Sequence, residues 1–289
     1  MKFNLLKTKF IAEVCSNHNG DLERAIKFVD FAKNYGFYAV KFQLFKIDQL
    51  FSKEAKILFK NAQKKVKREL PRHFIPKIAD YCKKKNIKFS CTPFDLSAVE
   101  YLKKYVDFFK IASYEMNWHD LLKSCAATKI PVILSTGMSN INEVKKSYEI
   151  LKRNGCKKIS LLHCVSSYPA NVMSCNLNSI KFLKDKFDCE VGWSDHTVSD
   201  LIIYSAIKNQ KADYIELHVD IDDKGWENIS GHHCWSPDKL NNLIYFLNNE
   251  KKINGGYFKK VSKDEKNERK FRSDPSDGLR PMKNYRKEL

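Results

Sequence analysis

Short apolar, β-branched runs alternate along the chain with stretches whose apolar residues recur at helical spacing. The runs are Phe10–Val14, Tyr38–Phe42, Lys88–Cys91, Phe108–Ala112, Val132–Ser135, Ile159–His163, Glu190–Trp193 and Tyr214–His218. The amphipathic stretches that follow them are Leu22–Tyr35, Phe74–Lys85, Ser97–Tyr105, Asp120–Thr128, Ile141–Asn154, Ser179–Phe187, Asp200–Lys208 and Pro237–Lys252. Near-continuous apolar strands joined by helices predict a parallel sheet covered on both faces. Eight such units predict an α/β fold closed into a (β/α)8 TIM barrel, a form that takes about 250 residues. Residues 43–70 read as an insertion after the second strand, with DQLFSKEAKILF as a short extra helix or lid. From Lys251 the chain turns polar and basic, with 13 Lys and Arg against 6 Asp and Glu. The expected organisation is a barrel over 1–252 and a basic tail over 253–289.

Composition narrows the function classes. The formal net charge is +18, a field that attracts anions such as phosphates and carboxylated metabolites. The excess is scattered as single lysines on helical stretches. No basic stripe interleaved with aromatics is present, so a nucleic-acid partner is not expected. Nine cysteines, an odd number with no C-x-x-C, several within apolar strand runs, read as reduced thiols of a cytoplasmic protein. The opening MKFNLLKTKF is broken by lysines and is no signal peptide. No apolar run reaches the ~18 residues of a membrane span, so no membrane partner is expected.

The chemistry collects at one end of the strands, where barrels of this kind build their sites. The first strand carries Glu13 and opens into Asn17-His18-Asn19. The second carries Lys41 and Gln43, the third Thr92, the fourth Lys110, Ser113 and Glu115. The fifth ends in Ser135 and Thr136, the sixth in His163, Ser166, Ser167 and Tyr168. The seventh ends in Ser194, Asp195 and His196, the eighth in Glu216 and His218. Buried Lys and Glu are costly unless paired or used, so their recurrence on one rim points to a ring of groups around a pocket. Two lysines and several hydroxyls suit an anionic, phosphate-bearing ligand. His196 and His218 end neighbouring strands, where their imidazoles can share one divalent metal.

The stretches IAEVCSNHNGD, AVKFQ, SCTPFD, FKIASYE, PVILSTGM, LLHCVSSYP, VGWSDHT and IELHVD, in this order, resemble the sialic acid synthase family. These enzymes condense phosphoenolpyruvate with a 2-acetamido sugar such as N-acetylmannosamine. The resemblance runs from about residue 9 to 240 and implies a metal-dependent synthase. The product would be a nine-carbon 2-keto sugar acid of the sialic, legionaminic or pseudaminic type. It implies His196 and His218 as ligands of a divalent metal, usually Mn2+, with Mg2+ or Co2+ as substitutes. Lys41, Thr92, Lys110, Ser113, Ser135 and Ser194 are implied to bind phosphoenolpyruvate, and Gln43 is a further substrate-binding candidate. Glu115, Tyr168 and Ser166 fall on the sugar side. Glu13, Glu115 and His218 are the implied catalytic groups, Glu13 handling the proton of the attacking water. Homodimers are usual in the family, so a homodimer is an implied assembly.

Three features depart from the family pattern, all on the sugar side. The family usually carries a C-terminal antifreeze-like domain that lends an arginine to the partner subunit's sugar site; this chain ends in a basic tail, where Arg272 or Arg280 could substitute. The family tends to have GPD after the last strand, where this chain reads ISGHHCWSP with His232 and His233. A position after the sixth strand that is often Asn is Ser166 here. A non-catalytic barrel that binds a sugar or a partner protein is the alternative function, against which the retained Lys41, Lys110, His196 and His218 argue.

Overall fold

The computed structural model describes residues 2–3, 6–58 and 63–288. Eight strands form a closed parallel barrel in sequence order. They are β1 (Lys9–Glu13), β2 (Ala39–Leu44), β3 (Lys88–Pro93), β4 (Phe108–Ile111), β5 (Val132–Ser135), β6 (Ile159–Cys164), β7 (Glu190–Asp195) and β8 (Tyr214–His218). Closure comes from β1 against β8, in a register that sets Glu13 beside His218 and Ile11 beside Glu216. At Gly192 in β7, an added Cβ would lie 2.2 Å from the Tyr214 carbonyl oxygen. Only glycine permits that approach to β8.

The helices follow the hydrophobic pattern closely. In Leu22–Tyr35 the buried face is Ala25, Phe28, Val29 and Ala32, the i, i+3, i+4, i+7 stripe of a helix laid on a sheet. Asp21 caps its start, its side chain accepting from the backbone N–H of Glu23 and Arg24, a contribution of about 1 kcal/mol. Gly36, at φ 77°, ends it. Helix ends elsewhere differ from the expected ones by one to three residues, as in Leu96–Leu102 and His119–Ala127. The polar content of loops gives end positions little hydrophobic signal.

Two segments depart further from the pattern. The insertion after β2 holds not one extra helix but Ile47–Leu50, Lys53–Leu58 and a 3-10 turn at Gln63–Arg68; residues 59–62 of it lie outside the described residues. The segment after β8, for which the pattern predicts no element before Pro237, contains the helix Trp226–Gly231. Its six residues are too short for a periodic signal.

The chain divides into two compact units, Met1–Asn248 and Asn249–Leu289. Within the second unit, helix Glu265–Glu268 precedes a turn built on acids. Asp277 accepts from both Arg286 nitrogens, Nη1 and Nη2, and Asp274 accepts from the backbone N–H of Ser276 and Lys283. Arg280 donates to Ser273 Oγ at 3.4 Å. No described helix is long and apolar enough to cross a membrane.

The barrel interior is layered. Ile11, Ala39, Phe108, Ile133, Leu162 and Tyr214 form one buried apolar cluster. Side chains two residues apart in a strand share a face. The next layer up from this floor is therefore Glu13, Lys41, Lys110, Ser135, Cys164 and Glu216. The strand period alone stacks a charged layer on an apolar one.

Candidate active site at the carboxyl ends of the strands

The charged layer is enclosed and internally paired. Glu13 is fully buried; Lys41 and Lys110 are each 2% exposed. Lys41 Nζ lies 2.5 Å from Glu13 Oε2 and donates to Thr92 Oγ1 at 3.3 Å. Gln43 donates to the other Glu13 oxygen at 2.7 Å. Glu216 Oε1 lies 3.7 Å from both Lys41 and Lys110 and accepts from Ser194 Oγ at 3.0 Å. Lys110 donates to Ser135 Oγ at 2.6 Å. Of the residues read from the sequence, the structure thus joins Glu13, Lys41, Gln43, Thr92, Lys110, Ser135 and Ser194 in one network, with Glu216 as its bridge.

Burial and pairing oppose each other in the ionisation of this network. Burial raises the Glu13 carboxyl and outweighs the attraction of Lys41, with Glu216 adding to the rise. Burial would lower Lys41, but Glu13 and Glu216 prevail and hold it high. Lys110 is lowered by burial, which outweighs the attraction of Glu216, with Lys41 adding to the fall. Glu216 stays low because the two lysines outweigh its burial. Two buried ammonium groups beside hydroxyls are donors of the kind that suit an anionic ligand.

A second cluster lies across the mouth. Gly137 allows three donors to converge, because an added Cβ would fall 2.4 Å from Ser166 Oγ and 2.9 Å from Ser113 Oγ and Cys164 Sγ. Ser113 Oγ accepts from Gly137 N–H at 3.0 Å, while the buried Ser166 Oγ has no partner. Glu115 Oε2 is likewise buried without a partner, and burial pushes its pKa up to about 7.

Tyr168 and three imidazoles form the third side. The Tyr168 ring lies 4.3 Å from that of His196 and 5.0 Å from that of His233. His218 lies 5.2 Å from His196 and 4.8 Å from His233, centroid to centroid. His196 Nδ1 sits 2.7 Å from the Val165 carbonyl oxygen, which leaves Nε2 for a ligand. Burial, then the neighbouring imidazoles, lower His218 well below the usual range. Among the described residues, a group of donor atoms within 4.8 Å of one another unites Cys15, His218 and Glu227. His196 stands beside this group and outside it.

His233, Glu227 and Cys15 were not read as a cluster. Both nitrogens of the buried His233 lack a hydrogen-bond partner, although Nε2 lies 3.2 Å from Glu227 Oε1. HHCW in a loop carries no period that fixes a direction. The NHNG segment, by contrast, is a clamp. Asn17 Oδ1 accepts from the backbone N–H of Glu227 and Asn228, and Asn19 Oδ1 accepts from that of Trp226. It anchors the helix Trp226–Gly231 over the mouth.

Several known proteins resemble this chain over most of its length. The NeuB family profile matches residues 28–259. An uncharacterized protein of Methanocaldococcus jannaschii is 40% identical over 80% of this chain and 66% of its own length. The N,N'-diacetyllegionaminic acid synthase of Campylobacter jejuni is 37% identical over 90% of this chain and 81% of its own. The Bacillus subtilis protein SpsE is 32% identical, with 65% of its length covered. The chain therefore spans about two thirds of the archaeal and Bacillus relatives. Among solved structures, an N-acetylneuraminic acid synthetase from Leptospira borgpetersenii superposes with TM-score 0.76 at 31% identity, covering 90% of each chain. A family match across most of the barrel, with relatives of more than 30% identity over four fifths of the sequence or more, establishes that the chain belongs to the NeuB family.

Proposed function

We propose that this chain condenses phosphoenolpyruvate with an open-chain 2-acetamido sugar, giving a nine-carbon 2-keto sugar acid and phosphate. The observation that carries the reading is the buried Lys41–Glu216–Lys110 arrangement on the floor of the mouth. It supports the binding of an anionic substrate there. The methylene carbon of phosphoenolpyruvate forms the new C–C bond to the sugar aldehyde carbon, whose oxygen takes up a proton. Water adds to the adjacent phosphoenolpyruvate carbon, and phosphate leaves as the C–O bond breaks and the keto group forms. Lys41 and Lys110, with Thr92, Ser135 and Ser194, hold the carboxylate and phosphate and meet the shifting charge in a low-dielectric site. The Gly137 cradle of Ser113 and Ser166 supplies further donors. Glu13, raised by burial, accepts the water's proton. Glu115 and Tyr168 face the sugar.

A divalent cation fits against His218, which is buried with Nδ1 unpartnered beside His233, whose Nδ1 is also unpartnered while Nε2 faces Glu227. His218 with His196 or His233 would hold it. Such an ion polarises an aldehyde oxygen or acidifies a bound water.

Phosphate release by the divalent-metal-loaded protein tests the reading, with phosphoenolpyruvate and a panel of N-acetylmannosamine and 2,4-diacetamido-6-deoxy hexoses. Release that depends on one sugar fixes reaction and acceptor together. Binding of phosphoenolpyruvate without turnover on any sugar would instead favour a non-catalytic barrel.

A further inference from the structure

The donors around His218 extend beyond imidazole. Cys15 lies two residues beyond the end of β1 and is buried, as is His218. The Cys15 sulfur, one nitrogen of His218 and one oxygen of Glu227 lie within 4.8 Å of one another. Ligand atoms around a tetrahedral ion with bonds of ~2.0–2.3 Å stand ~3.3–3.8 Å apart. Small side-chain adjustments therefore close the three donors onto one ion.

Independent observations point the same way. His218 Nδ1 and His233 Nδ1 are buried with no hydrogen-bond partner among the described residues, and unpaired buried polar atoms are costly unless a ligand uses them. The Cys15 backbone is at φ 48°, the left-handed region where glycine is at no disadvantage and a side chain is. A thiol kept at such a position is a candidate for use. Glu227 is aimed from both sides. Its backbone N–H is tied to Asn17 Oδ1 at 2.8 Å. Its Oε1 lies 3.2 Å from His233 Nε2, and its Oε2 accepts from the Cys15 thiol at 3.1 Å. An imidazole behind a carboxylate is the outer-sphere support that orients metal ligands.

We propose that Cys15 ligates the divalent cation of this site as a thiolate, together with His218 and Glu227, giving a mixed sulfur, nitrogen and oxygen set that selects zinc or cobalt over manganese. This rests on the metal-assisted reading above and deepens it. Thiolate is a soft donor that favours zinc and cobalt, whereas manganese prefers carboxylate and water, and intrinsic affinity rises in the same direction. On coordination the sulfur supplies a lone pair and the thiol proton passes to solvent; nothing is oxidised or reduced.

The test uses the full chain, stripped with a chelator and reloaded with cobalt(II). The expected result is one cobalt per chain and a near-ultraviolet thiolate-to-cobalt charge-transfer band. Cys15→Ser and Cys15→Gly should lose the band while still binding cobalt, at an affinity lower by about 10–100-fold or more. The glycine variant also relieves the positive φ, so its fold is not at risk from strain. In competition, wild-type protein should hold zinc against excess manganese, and Cys15→Gly should shift toward manganese. Stoichiometric cobalt without the band would overturn the sulfur ligand and leave the metal reading standing. A band that survives in Cys15→Gly would assign it to another cysteine and overturn the proposal. Absence of bound cobalt would remove the metal reading and the proposal together.

Discussion

The two ends of the barrel use the same residue types in opposite ways. At the amino-terminal base, Lys9 pairs with Glu190 at 2.6 Å, Lys88 with Asp107 at 2.6 Å and Lys184 with Asp213 at 2.8 Å. All six side chains are at least 27% exposed. Tyr214 adds a hydrogen bond to Glu190 at 3.0 Å. A cleft of about 890 Å³ opens at this end between Phe37, Cys82 and Val106, but its charges face water. At the mouth, Glu13, Lys41, Lys110 and Glu216 are all 3% exposed or less. Most of the buried polar atoms left without a partner among the described residues also cluster there, in Glu115, Ser166, Glu216, His218 and His233. Exposed pairs trim solvation costs, whereas buried and incompletely satisfied ones keep a cost in the fold that a ligand can relieve. The base reads as closure of the barrel and the mouth as its chemistry.

The sharpest way to break that contrast is at His218. His218→Ala should abolish turnover and strip the divalent metal; full activity, or unchanged metal content by elemental analysis, would move the chemistry elsewhere. Lys41→Met strands the buried Glu13 carboxylate and should cost about 3–5 kcal/mol of folding stability in denaturant titrations. An effect near zero would mean that Glu13 carries a proton in the folded state. Lys110→Ala should raise the apparent KM for phosphoenolpyruvate by about 10–100-fold, the worth of lost charge-assisted hydrogen bonds. An unchanged KM would make Lys110 a structural partner of Glu216.

Glu115 gives a pH signature. Its folded pKa is raised by burial from 4.5 to about 7, so the folded state holds the proton more tightly than the unfolded one. Its contribution is fully present below pH 4.5 and is lost as pH rises to about 7. Thermal melts across that window should show wild type losing stability relative to Glu115→Gln; parallel curves would refute a buried, unpaired acid. Smallest of all, Lys9→Met at the base should change stability by about 1 kcal/mol or less and leave kcat/KM unaltered.

Much of this was legible in the chain. The near-continuous apolar runs and the helical-period stretches between them placed eight βα units, and the strand ends put Glu13, Lys41, Lys110 and His218 on one rim. Side-chain direction in a strand is fixed by counting, so sequence alone sufficed for residues inside strands. What lay in loops was not fixed this way. The clamp role of Asn17 and Asn19 depends on a helix some 200 residues away in sequence. The coupling of the two lysines needs Glu216, which barrel closure brings between them.

The sequence by itself determined the barrel, its polar rim and the resemblance that names its family, because those follow from local periodicity and ordered motifs. Only the tertiary structure decided that Cys15, His218 and Glu227 meet. It alone placed His233 behind Glu227. Loop backbones have no repeating geometry, so their side chains take direction from the contacts that folding makes.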